Sequence, residues 1–185
     1  MKQKLGIAVL TILTGLGYTE PAKTDIYSEI QIALEEAAVA EKTGDSAAEV
    51  KAVTRLAELG ESWAQVLLGQ MYLQGDDVVQ SDKVALSLFL KAANPSGHTD
   101  IKPNGLGNPK GQYMLGIMYY QGRGVTLDRV EAYKWLTIAS STDHDEDFDS
   151  IRIEAKEARE TLKLEMTRSQ ITEAESLSLK WFRGE

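Results

Sequence analysis

The chain has 185 residues, 43% of them apolar, enough for one packed domain or a short repeat array, and it carries a net charge of −8. That balance excludes an overall basic footprint for nucleic acid. It contains no cysteine, which excludes disulfides, thiolate metal sites and a cysteine nucleophile.

Residues 1–17 read as a secretory signal peptide. Lys2 and Lys4 precede an apolar run from Leu5 to Gly17, no acidic residue occurs before Glu20, and Gly15-Leu16-Gly17 supplies a small-x-small exit. The run is shorter than the roughly 20 residues that span a bilayer, so no stable membrane span is expected once the signal is removed. An uncleaved anchor or a buried N-terminal helix is the alternative. The expected localisation is periplasmic or secreted, in a Gram-negative bacterium. With Lys2 and Lys4 gone the remaining chain would carry −10.

The next segment reads as a degenerate N-terminal helix pair over 25–59. Residues 25–42 place Ile26, Ile30, Leu34 and Ala37 on one helical stripe, and 47–59 place Val50, Val53 and Ala57 on another. Gly44 suits a left-handed cap between them.

A duplication follows. At a fixed offset of 47, Leu68, Gly69, Met71, Tyr72, Gln74, Gly75, Val78, Ala85 and Ala92 return as Leu115, Gly116, Met118, Tyr119, Gln121, Gly122, Val125, Ala132 and Ala139. A fixed period of tens of residues is the mark of a repeat architecture. Gly69 and Gly116 fall inside helices, where glycine costs about 1 kcal/mol against alanine, so helices must approach closely there. Gly75 and Gly122 end those helices. Asp82 and Asp128 suit the N-caps of the following ones. Phe89 and Trp135, displaced by one position, are expected to thicken the core of the second helix. Repeat 1 therefore occupies 60–93 and repeat 2 occupies 111–141, each a helix, a glycine turn and a helix.

Residues 94–110 form a long inter-repeat loop holding three of the four prolines. Loops of this length are often functional, and His98, Asp100 and Lys102 could face a partner there; a tolerated insertion is the plainer reading. Beyond Ser141 lies an acidic segment, then helices over 150–165 and 168–182, expected to close the array as a capping pair across 150–182. Thr167-x-x-Gln170 is a capping-box pattern, and Ile171, Ala174, Leu177 and Trp181 mark an inner face. No period-two pattern appears. The reading is all-α: about four stacked helix pairs.

These residues resemble the Sel-one-like repeat family, a branch of the tetratricopeptide-type α-solenoids, and the resemblance implies that the helix pairs stack as a short right-handed α-solenoid. The resemblance rests on Ala64-Gln65, Leu68-Gly69, Tyr72, Gly75, Val78 and Asp82, and in the second copy on Leu115-Gly116, Tyr119, Gly122-Arg123-Gly124-Val125, Asp128, Ala132 and Trp135. It extends from Glu29 to Trp181. Two positions depart from the pattern: Asp77 stands where the first copy should have its second turn glycine, and Gly111-Gln112 replaces alanine-glutamine. The resemblance implies an adaptor or regulatory scaffold that binds a protein or peptide partner, exported in bacteria.

Signatures of catalysis are missing: no phosphate loop, no H-E-x-x-H, no G-x-S-x-G and no S-x-x-K. No cofactor is expected. Asp143, Asp145, Asp147 and Glu154 occupy positions 1, 3, 5 and 12 of a calcium loop, but Phe148 takes the position where glycine makes the turn, so no metal is expected. His144 among these acids is read as a solvated side chain. Tyr113, Tyr120, Gln70 and Ile117 lie off the repeated core stripe on the first helices, which in a solenoid line the concave face. They are the candidate partner contacts, with filling between neighbouring repeats as the alternative. A non-catalytic interaction module of the envelope is the first reading; an envelope-associated hydrolase or enzyme accessory working through facing carboxylates is the second. The oligomeric state is left open.

Overall fold

The computed structural model describes residues 26–94, 107–141 and 149–185. The signal segment, His98, Asp100 and Lys102 of the loop, and Asp143 to Asp147 of the acidic stretch lie outside these residues. Among the described residues there are eight helices and no strand. They are α1 (Ile26–Thr43), α2 (Ser46–Glu58), α3 (Ser62–Gln74), α4 (Asp82–Ala93), α5 (Pro109–Gln121), α6 (Arg129–Ser141), α7 (Asp149–Lys163) and α8 (Arg168–Arg183).

Local chemistry sets the ends of these helices. Gly75 and Gly122 close α3 and α5 in the left-handed conformation, at φ 82° and 68°. At the start of α8 both capping-box bonds form: Thr167 Oγ1 accepts from the Gln170 N–H, and the Thr167 N–H donates to Gln170 Oε1. Asp128 caps α6, accepting from the N–H groups of Val130 and Glu131. Asp82 does not cap α4. Ser81 does, through the Val84 N–H, and Ser81 stands 47 residues before Asp128, so the repeat register places the cap one residue earlier than the aspartate suggests.

Consecutive helices from α1 to α7 pack against one another, most closely within the pairs α3–α4 and α5–α6, and α8 packs on α6. The last two helices, expected as a capping pair, therefore share α6 as their principal support. The core passes from module to module in three clusters. The first takes Ile30 and Ala33 of α1, Val53 and Leu56 of α2, Leu68 of α3 and Leu88 of α4. Leu34, expected on the inner stripe of α1, is exposed, and Ala33 is buried in its place. The second joins Val66 of α3, Phe89 of α4, Leu115 and Met118 of α5 and Trp135 of α6. The third binds Leu136 of α6 to Ala155 and Leu162 of α7 and Ala174 of α8. No cluster is confined to one helix pair, which is how a solenoid shares its stability between neighbours.

The mid-helix glycines are packing positions. A Cβ on Gly69 would lie 2.6 Å from the Phe89 ring, and one on Gly116 would lie 2.7 Å from Leu136 Cγ. The residue equivalent to Phe89 is therefore Leu136, again 47 apart. Trp135 does a different job: it meets Trp181 of α8 edge-on at 6.1 Å, tying the C-terminal helix to the array.

Polar joins stitch one module to the next. Buried Gln65 donates to the Ala57 carbonyl at the end of α2, and buried Gln112 repeats the bond to the Ala93 carbonyl at the end of α4. Gly111 replaces alanine because a Cβ there would come 2.9 Å from that of Ala92. Arg123, in the turn of repeat 2, forks onto Asp82 of repeat 1 at 3.2 and 2.6 Å and reaches the Leu73 carbonyl. Gly124 beside it has φ 70°, and a Cβ would fall 2.5 Å from the Asp82 carbonyl oxygen. Its counterpart Asp77 keeps the positive φ at 55° but is exposed. A side chain is tolerated there, as aspartate is in the left-handed region.

Candidate binding surface

The candidate contacts separate into two groups. Tyr113, Ile117 and Tyr120 of α5 are half-buried and pack in the third cluster, with residues of α7 among their neighbours. The Tyr120 hydroxyl donates to Glu165 Oε1 at 2.8 Å, just beyond the end of α7, and Arg129 holds the other oxygen of that carboxylate. The hydrogen bond from Tyr120, with Arg129 behind it, holds the Glu165 carboxyl below its ordinary value, and the same bond raises Tyr120. Burial, then the charge and hydrogen bond of Glu154 on α7, raise Tyr113. On α5 these side chains serve the join to α7.

Gln70, the fourth, sits on α3 in different company. The inner face of α3 is Ala64, Gln65, Leu68 and Gly69. On the opposite face Trp63, Leu67, Gln70 and Gln74 fall one turn apart, at spacings of four, three and four, so they line one stripe. Trp63 is 44% exposed and Leu67 37%. The indole is not loose: its Nε1–H donates to Glu61 Oε2 at 3.2 Å. Glu61 is buried at the N-cap of α3, where the helix dipole favours a negative charge, and its Oε1 accepts no bond from a described residue. Beside it, Asn108 at the start of α5 donates its side-chain NH2 to Ser62 Oγ and caps α5 through Oδ1, which accepts from the Lys110 and Gly111 N–H groups. The foot of the stripe is thus a rigid, polar, buried junction between the two repeats, and an oriented aromatic ring stands on it. Trp63 belongs to the aromatic set visible in the sequence. Its spacing to Leu67, off the Ala64–Leu68 stripe, is the signal that singles it out.

Glu61 is the only buried carboxylate among the described residues, and its neighbour is an indole. No group of three or more histidine, aspartate or glutamate side chains positioned to hold a metal occurs among the described residues. Glu154 of the calcium-like spacing lies on α7, near Tyr113. No described helix is long and apolar enough to cross a membrane.

Residues 64–94 and 109–144 match the Sel1 repeat family model. The fold is similar to that of a protective antigen present in uropathogenic Escherichia coli strains and displaying an SLR fold, with 24% identity and a TM-score of 0.66 over 91% of this chain and 34% of the other. It is also similar to a Sel1 repeat protein from Oxalobacter formigenes, with 25% identity and a TM-score of 0.53 over 74% of this chain and 89% of that one. The chain thus spans about a third of the length of the first. No curated protein sequence matches it.

Proposed function

We propose that this chain, a Sel1-repeat protein, is a non-catalytic adaptor of the bacterial cell envelope that holds a protein or peptide segment along the outward stripe of α3. The observation that carries the reading is Trp63: a large aromatic, close to half exposed, oriented by a buried carboxylate and followed one turn later by exposed Leu67. Tryptophan is among the residues enriched at interface hot spots, and a ring already held in place loses little freedom on binding. Gln70 and Gln74 further along the stripe offer donors and acceptors to a peptide backbone. The envelope setting rests on the basic-apolar pattern of residues 1–17, and N-terminal sequencing of the exported protein tests it: a start at Met1 would oppose it.

The carboxylate-hydrolase reading needs two facing acids, and the one buried carboxylate among the described residues faces Trp63 instead. The adaptor reading is tested by capture from envelope extract with the wild type and with a Trp63→Ala/Leu67→Ala variant. Losing the indole donor to buried Glu61 is expected to lower stability by roughly 1–3 kcal/mol without unfolding the chain, which circular dichroism checks, while the specifically captured protein is lost. Equal capture by the two would place the contact elsewhere.

A further inference from the structure

We propose that the segment held on the α3 stripe presents a basic side chain, arginine or lysine, to the ring of Trp63. The inference rests on the reading of that stripe as the docking surface and names the chemistry of what docks there. From Leu56 to Asp82 the chain contains no lysine, arginine or histidine, and it carries the carboxylates Glu58, Glu61, Asp76, Asp77 and Asp82. Asp82 is paired with Arg123; the other four make no ion pair among the described residues. Arg123, which reaches the last turn of α3 at the Leu73 carbonyl, is thereby neutralised. The surroundings of the stripe are one-signed, on a chain whose net charge of −8 already favours the approach of a cation.

Glu61 brings that charge to the ring. It is 5% exposed, its Oε2 accepts the Trp63 Nε1–H at 3.2 Å, and its Oε1 is buried with no donor among the described residues. A carboxylate so little compensated in the interior gains from a nearby positive charge. Its free oxygen is closed off, so a partner cation meets the charge through the indole. A carboxylate on the N–H pushes electron density into the ring, and the negative ring face is what attracts a cation. With its N–H committed, the 44% exposed indole offers a partner its carbon ring. Leu67, one turn on, gives the methylene stem of a basic side chain an apolar surface to lie along. The fold uses the same pairing once within itself. Lys134 Nζ lies 4.6 Å from the centre of the Trp135 ring and 2.6 Å from Glu131 Oε2. There one helix supplies cation, indole and carboxylate. At Trp63 the indole and the carboxylate stand ready, and the cation is the part left to a partner.

Random dodecapeptides displayed on phage, selected on the immobilised full chain and counter-selected on Trp63→Ala/Leu67→Ala, test the proposal. The enriched peptides are expected to carry arginine or lysine. Synthetic copies with that residue changed to citrulline or norleucine are expected to bind about tenfold more weakly. Glu61→Gln keeps an acceptor for the indole and removes the charge, so it is expected to narrow the gap between charged and neutral peptides, with circular dichroism checking the fold. A fluorinated tryptophan at position 63, which drains the ring of electron density and leaves Glu61 in place, is expected to narrow it likewise. Peptides that need Trp63 but carry no basic residue, or that bind as well with citrulline, overturn the proposal and leave the adaptor reading standing. A gap unmoved by both Glu61→Gln and the fluorinated ring also overturns it, since the charge would then be read elsewhere. If no peptide is retained by the wild type in preference to the double variant, the stripe is not the docking surface and both readings fall.

Discussion

Gly69 lies so close beneath Phe89 that a Cβ on the glycine would sit 2.6 Å from ring carbon Cε1. Phe89 is fully buried, so the ring cannot swing out into solvent to make room. The same contact returns as Gly116 beneath Leu136, and this pair of contacts sets the distance between the two helices of each repeat.

Gly69→Ala and Gly116→Ala are therefore expected to destabilise the protein. Alanine would raise helix propensity by about 1 kcal/mol, but overpacking in a close-packed core costs roughly 1–3 kcal/mol. The net expectation is a loss of about 1 kcal/mol in each, read as a lower urea midpoint with an unchanged slope. A raised midpoint would mean that the helix gain wins and the close approach is incidental.

Most of this architecture is legible in the sequence because it depends on local chemistry repeated at one offset: the interior glycines, the left-handed caps and the Thr167–Gln170 box all recur or match short-range rules. One assignment slipped by a single residue. Asp82 draws attention as a cap by its type, yet Ser81 keeps the offset of 47; Trp135 lies in the core with Phe89 as expected, while Leu136 is the residue that meets Gly116. The contact of α7 with α5 is not legible. Apart from Leu162, α7 packs through small residues, Ala155 and Ala158, whose spacing names no partner, and so nothing near Tyr113, Ile117 and Tyr120 announces the helix beside them.

Arg123 and Asp82 join the turn of the second repeat to the second helix of the first. Their side chains are about a third exposed, at 35% and 32%, so solvent screens the pair, and a double-mutant cycle over Arg123→Ala and Asp82→Ala is expected to return a coupling of roughly 0.5–1 kcal/mol. Gly124→Ala next to them meets backbone rather than a movable side chain and is expected to cost more, about 2 kcal/mol. Equal costs for Gly124→Ala and for Asp77→Ala, its exposed counterpart, would contradict this account of the junction.

Glu165 is expected to make the C-terminal helices sensitive to pH. Its carboxyl is held below 4.5 in the folded protein, chiefly by the Tyr120 hydrogen bond and then by Arg129. A carboxyl whose pKa is depressed by folding stabilises the folded state above its ordinary pKa, and that contribution is lost as pH falls through the folded value. Amides of α7 are expected to exchange faster relative to those of α5 below about pH 4.5, the ordinary value of this carboxyl. Glu165→Gln, which keeps an acceptor for Tyr120 but drops the ion pair, is expected to flatten that dependence. An α7 exchange ratio that does not change with pH in the wild type would remove Glu165 as the group responsible.

The adaptor reading stands on one surface, and site-specific photo-cross-linking in envelope extract examines it most directly. A photoreactive side chain replaces Gln70, Gln74, Ile117 or Tyr120 in turn, one per sample, with Trp63 and Leu67 left in place. Truncating an anchoring tryptophan typically weakens binding by about 2 kcal/mol, roughly 30-fold, so adding Trp63→Ala should remove the adducts. The account predicts one discrete adduct from positions 70 and 74, competed away by excess unmodified protein, and none from 117 or 120. Adducts from 117 and 120 with none from 70 and 74 would contradict it.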